Sequence, residues 1–371
     1  MHDPRLNKLA RLIVDYSLDV KPGLEVCLQA SDLAKPLVRE CYREALRAGA
    51  HPTVRVAVDG LNELFLKEAA DEQLTYISPV VWTRIEKTDR FLNILGGHNT
   101  KSLTNIDNAK LQKTQRAQVE LVKRYSEREA AGELKWSLCQ FPTHSGAQEA
   151  SMSLDEYWEF VMEACKLNED DPVTAWREFR DKQQLICDYL VEHSDFHVVA
   201  EGTDLTYSAA GRVWVNCDGT RNMPDGEVFT GPIEDSVNGH ISYSYPAIHL
   251  GHEIENVRLE FKDGKVVDAT ADKGEAFLHS VLETDPGARY VGEAAIGTNY
   301  NIKHFTKNML FDEKIGGTCH FALGRSIPAS GGKNESVIHW DMLCDLTKGG
   351  RYYADGELFY QDGRFIKPID F

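Results

Sequence analysis

The residues best suited to chemistry lie in the second half of the chain. His339-Trp340-Asp341 sits in Val337–Leu343, a run that reads as a β-strand. Side chains at i and i+2 of a strand point to one face, so this imidazole and carboxylate can share a metal ion. His320 lies in a second strand-like run, Thr318–Leu323. Glu227 follows Pro224-Asp225-Gly226 and opens an apolar run, and Glu293 stands between Gly292 and Ala294-Ala295-Ile296. A carboxylate in an apolar strand is costly to bury unless it is paired or bound to a metal. Each of these residues has an ordinary reading alone: a structural His-x-Asp pair, a core histidine, a turn carboxylate, an ion-pair partner. Together they favour a metal site, and oxygen and nitrogen donors without thiolates suit Zn, Co or Mn. Other centres lack their residues. HExxH, GxSxG, GxGxxG and GxxxxGK[ST] are all absent. Cys319 and His320 are strand neighbours and point to opposite faces, which removes a Cys–His couple.

These residues need elements to hold them. Met1–Val20 reads as an amphipathic helix with Leu6, Leu9, Leu12 and Ile13 on one face, ended by Pro22-Gly23. Strands are expected at Leu24–Leu28, Thr53–Val58, Phe91–Leu95 and Leu134–Gln140. A helix between the first two is expected to stop at Gly49. This β-α-β order implies a parallel sheet with right-handed crossovers. Ile106–Glu129 reads as one long charged helix, and Leu154–Lys166 and Ala175–His193 as two more. Near residue 195 the pattern changes to short strands, Phe196–Val199, Asp204–Ser208, Arg212–Val215, Glu227–Phe229, His240–Tyr245 and Val257–Phe261. Of the six Asp-Gly pairs, five fall in this half, as suits tight hairpins. The expected fold is an α/β N-terminal domain with a mainly parallel sheet over residues 1–194. A mainly antiparallel β (α+β) catalytic domain follows over 195–371.

The 371 residues carry 58 acids against 41 bases, a formal charge of −17. That balance argues against nucleic acid or an anionic membrane as partner. No run approaches a membrane span or a secretory signal, and the eight cysteines are scattered without a CxxC pair. A cytoplasmic protein with reduced thiols is expected.

Four segments together resemble a known family, the thermophilic-type metalloaminopeptidases of the aminopeptidase T/S group (peptidase family M29). They are Asn222–Pro232, Gly292–Asn299, Glu313–Gly324 and Gly332–Met342, in the family's order and spacing. The resemblance implies that Glu227, Glu293, His320, His339 and Asp341 ligate two divalent metals (Zn, Co or Mn). It implies a homodimer through the C-terminal domain, and removal of N-terminal residues from small peptides with a free N-terminus. The expected chemistry is attack by a hydroxide that two metals activate, with Glu293 as ligand or general base. Three carboxylates against two divalent cations would leave the site slightly electropositive.

One departure stands out. Seven positions after the motif histidine the family carries a Tyr near the metals, and here that position is Ile327. Ile donates no hydrogen bond to a developing oxyanion; Tyr300, Tyr243 and Tyr245 are candidate substitutes. Two rivals follow. His320, His339 and Asp341 could form the facial triad of a mononuclear non-haem iron, ring-cleaving dioxygenase. The chain could also be a weakly catalytic peptide-binding homologue.

Overall fold

The computed structural model describes residues 3–368. The expectations for Met1 and His2 of the first helix, and for the last three residues of the second domain, lie outside the described residues. The described chain divides into two compact units. One holds residues up to Thr174 with Thr220–Met223, the other Ala175–Gly219 with everything from Pro224.

In the first unit, helix Arg5–Leu12 buries Leu6, Leu9, Ala10 and Leu12, then widens into a π-turn over Ile13–Ser17. The strands Glu25–Ser31, His51–Ala57, Arg90–Leu95 and Lys135–Gln140 pair in parallel, as the β-α-β pattern requires. Helix Lys35–Arg47 stops before Gly49, whose φ of 77° suits glycine at a helix end. A fifth strand, Asn222–Met223, adds in parallel beside Leu138–Cys139. At two residues it is too short to show periodicity. The segment expected as one helix over 106–129 is two, Asn108–Ala117 and Val119–Ala130, broken at Gln118. The halves serve different clusters. Leu111 packs toward Leu66, Leu74 and Ile106, while Tyr125 packs toward Cys27, Phe91 and Leu134.

The two compact units part at 174/175. Helix Pro172–Val191 precedes the change of sequence pattern, yet it buries Ile186, Cys187 and Leu190 in the second unit's core. That core lies between two antiparallel sheets. The larger has eight strands, in spatial order 265–270, 258–262, 238–242, 203–208, 195–200, 351–354, 357–361 and 364–365. The smaller has five: 339–345, 318–324, 291–297, 227–230 and 215–217. The strand expected at 212–215 is displaced to Val215–Cys217, because Arg212 leaves the sheet to pair with Glu234 at 2.7 Å. The expected strand at 240–245 spans Asn238–Ser242. Asp263-Gly264, Asp355-Gly356 and Asp362-Gly363 all turn hairpins with positive φ at both residues. Among the described residues no cysteine forms a disulfide.

One irregularity sets the smaller sheet's chemistry. Register shifts between Val291 and Glu293, so Val291 opposes Leu323 while Glu293 opposes Ala322. Strict alternation would put 291 and 293 on one face. The extra residue, Gly292, sends Val291 into the core and Glu293 to the opposite face. A Cβ on Gly292 would sit 2.2 Å from the Gly324 carbonyl oxygen. Gly292→Ala is therefore expected to destabilise by about 2 kcal/mol or more, by forcing backbone apart. Gly23→Ala, where a Cβ meets nothing within 4 Å, should cost only the left-handed strain of about 1 kcal/mol. Denaturant unfolding of both variants checks the order.

Candidate metal centre

Alternation and register bring the five sequence-derived residues together. Gly297 opposes Glu227, Ala295 opposes His320, Ala322 opposes Glu293 and Asp341, and Gly324 opposes His339. All of these share one sheet face. The partners opposite the polar side chains are Gly or Ala, which leaves room above the sheet. On the reverse face Val228, Ala294, Ile296, Cys319, Phe321, Leu323, Trp340, Met342 and Cys344 join the hydrophobic core. Burial of that face fixes the register, since a one-residue slip would turn the carboxylates into the core.

The ligand-type atoms of Glu227, Glu293 and His320 lie within 4.8 Å of one another, and so do those of Glu293, His339 and Asp341. Glu293 belongs to both groups. Its Oε1 lies 3.2 Å from His320 Nε2 and its Oε2 lies 3.9 Å from His339 Nε2. Glu227 Oε2 lies 3.4 Å from His320 Nε2, and Asp341 Oδ1 lies 3.4 Å from His339 Nε2. His339 Nδ1 donates to the Arg325 carbonyl at 2.7 Å, which leaves Nε2 as the ligating nitrogen. Two buried acceptors, Glu227 Oε2 and Asp341 Oδ1, have no hydrogen bond. Orphaned carboxylate oxygens are costly in a dry site, and a cation between them and the two Nε2 atoms removes that cost. The residues fit divalent-metal ligation, with Glu293 common to both ligand groups.

Three residues at the site escaped the sequence reading. Lys314 is fully buried, with Nζ 3.1 Å from Glu227 Oε1 and 3.8 Å from Asp225 Oδ1, and it also pairs with Glu313. Its ammonium holds Glu227 by one oxygen and leaves the other facing His320. Cys217, Asp225 and Glu227 also have ligand spacing, but Lys314 already stands against two of them. Two signals could have pointed here: Asp225 stands beside Glu227 in a Pro-Asp-Gly turn, and Glu313-Lys314 lies inside the third motif. With all five acids ionised, Lys314 compensates one of their five negative charges.

The electrostatics follow from this crowding. Burial opposes charge on His320, but Glu293, Glu227 and Asp341 outweigh it and push the imidazole up to about 9. His339 rises to about 10, burial again being overcome by Asp341 and Glu293. Burial works to raise Asp341, yet His339 beside it holds the carboxyl well below its usual range. Burial pushes Glu313 and Asp225 up to about 7 against the pull of Lys314. Without metal, two imidazolium ions and one ammonium serve as the counter-charges.

Tyr300 donates to the Gly363 carbonyl at 2.9 Å, Tyr243 lies in the apolar core, and Tyr245 stacks on Phe305. Ile327 itself precedes the single turn Pro328–Ser330.

A family model described as thermophilic metalloprotease (M29) matches residues 2–365. Aminopeptidase 2 of Geobacillus stearothermophilus is 29% identical over 94% of each chain. Aminopeptidase PepS of Streptococcus thermophilus is 30% identical over 91% of each. The solved structure titled wild-type AmpT from Thermus thermophilus superposes with a TM-score of 0.83 at 25% identity, over 98% of this chain and 99% of that one. The iron dioxygenase alternative gains no support from these relatives, and a facial triad leaves the convergence of Glu227 and Glu293 unexplained. The chain belongs to the thermophilic metalloprotease (M29) family and is a hydrolase of the metalloaminopeptidase kind.

Proposed function

We propose that this chain releases N-terminal residues from small peptides, using two divalent ions of Zn, Co or Mn held by Glu227, Glu293, His320, His339 and Asp341. The observation that carries the reading is the position of Glu293 in both ligand groups. Bound divalent ions would supply Lewis acidity and lower the pKa of water toward about 7. Glu293, common to both ligand groups, would help hold the ions and could take up a proton from the nucleophile. Lys314 orients Glu227, and Arg325 orients His339 through its carbonyl. A substrate's free α-amine finds several carboxylates here, which would favour exopeptidase cleavage. Residues 195–371 form the catalytic part, and the working state is a cytoplasmic homodimer built through that part. Among the described residues, no helix is long and apolar enough to cross a membrane. A second reading, peptide binding with little turnover, is favoured by Ile327, where no hydroxyl is available.

Metal analysis should find two divalent ions per chain. Chelation should abolish release of Leu from Leu-p-nitroanilide, and add-back should restore it. Glu293→Gln should bind fewer than two ions and lose at least about 10²-fold in kcat. Full metal content with full activity in that variant would remove the bridging assignment.

Ile327→Tyr should raise kcat by about tenfold or more with KM little changed, since an oxyanion donor is typically worth about 10²–10³. An unchanged kcat would show that the hydroxyl is not what limits turnover.

Metal uptake at pH 7.5 should release about two protons per chain, because ligation needs neutral imidazoles. The sign for stability follows. Both histidines bind protons more tightly folded than unfolded, so the metal-free protein should lose stability as pH rises from about 7 through 10. Titration calorimetry in buffers of different ionisation enthalpy and melting curves of the chelated protein check both.

A further inference from the structure

A cavity of about 430 Å³ lies within the first unit, on one face of its parallel sheet, far in sequence from the metal ligands. Its floor is a row of cross-strand neighbours, Arg55, Gln29 and Asn93, in register across three strands. Arg55 Nη1 donates to Gln29 Oε1 at 3.0 Å, and Gln29 Nε2 donates to Asn93 Oδ1 at 2.9 Å. A guanidinium only donates, so this relay has one direction and ends on the Asn93 amide NH₂, which makes no hydrogen bond among the described residues. Arg84 also lines the cavity, and its guanidinium has no hydrogen bond or ion pair among the described residues. Both guanidiniums lie close enough to Cys27 to oppose the upward push of burial on its thiol. No Asp or Glu lines the cavity, although acids outnumber bases by 58 to 41 in the chain. The wall is aromatic: Phe91 and Tyr125 stand with ring centroids 5.5 Å apart.

The sheet topology points to the same place. Spatial order runs 51–57, 25–31, 90–95, 135–140, so the chain reverses its direction of winding between the strands of Gln29 and Asn93. Both residues lie two positions from the carboxyl ends of their strands. In open α/β sheets, ligands gather at the carboxyl ends beside such a reversal. The volume falls in the range of small-molecule sites.

We infer that this cavity binds a small organic anion, a carboxylate or phosphate carried on an apolar or aromatic body. The anion would pair with Arg55 and Arg84 and accept from Asn93, and the body would lie against Phe91 and Tyr125. A lining that offers two guanidiniums and an amide donor with no acid among them selects for negative charge, and the aromatic wall selects against a bare ion.

Calorimetric titration of the full-length protein with phenyl phosphate, benzoate, inorganic phosphate and neutral benzyl alcohol tests this. One-to-one binding of phenyl phosphate or benzoate is expected, at least about tenfold tighter than benzyl alcohol. The tighter of the two anions assigns the head group. Affinity should fall about tenfold or more in Arg84→Gln and in Arg55→Gln, while Arg84→Lys keeps part of it. Circular dichroism of each variant confirms that the fold is intact. The inference is overturned if neither organic anion binds at millimolar concentration or if benzyl alcohol binds as tightly. It is equally overturned if inorganic phosphate matches phenyl phosphate, or if affinity is unchanged in both glutamine variants.

Discussion

Five carboxylates on one buried patch cannot stand without counter-charge, and much of the second unit is arranged around that constraint. Asp225, Glu227, Glu293, Glu313 and Asp341 converge where water is largely excluded, and among the described residues Lys314 is the permanent cation paired with them. A fully buried ammonium is normally expensive, because desolvation disfavours its charged form. Here its three acidic neighbours reverse that preference and hold it charged. Lys314 satisfies only one side of the cluster. The remaining charge lies between Glu227, Glu293 and Asp341, and there the two imidazoles take up protons when no other cation is present. Protons and divalent metals thus compete for the same four negative charges.

The backbone beneath this cluster shows how a sheet tolerates such a load. Polar side chains alternate with Ala295, Gly297, Ala322 and Gly324 on one face, while the reverse face is continuous core. Small residues leave space for ions without loosening the strands, because cohesion comes from the apolar face and the ladder. The bulge at Gly292 is the one break in regularity, and it aims Glu293. The residue shared by both ligand groups is therefore also the one whose orientation depends on an irregular backbone, as bulges beside reactive sites commonly do.

What was legible in the sequence follows from periodicity. His339 and Asp341 declare a shared face by their i, i+2 spacing within an apolar strand, and Glu227, Glu293 and His320 stand out as polar residues in apolar runs. Strand existence and the parallel-then-antiparallel order were equally visible. Lys314 was not, because a lysine in a charged Asp-Glu-Lys run reads as solvated surface, and only the third dimension places it among acids. The break at Gln118 escaped because charge continues across it, and the two halves separate only by which cluster each one covers. Asn222–Met223 is too short to carry a period, and its pairing depends on a return of the chain that no local pattern encodes.

The two units handle charge in opposite ways. The metal face gathers acids and a buried lysine; the parallel sheet gathers Arg55, Arg84 and an open amide without an acid near them. Acids are abundant enough to neutralise guanidiniums, as Glu86 neutralises Arg124 at 2.7 Å in the same unit. Arg84 lies two residues from Glu86 on the same short helix, yet it turns toward the sheet and not toward that acid's ion pair. Its guanidinium is thus left facing the cavity and open to a ligand, as the carboxylates of the other sheet are open to cations.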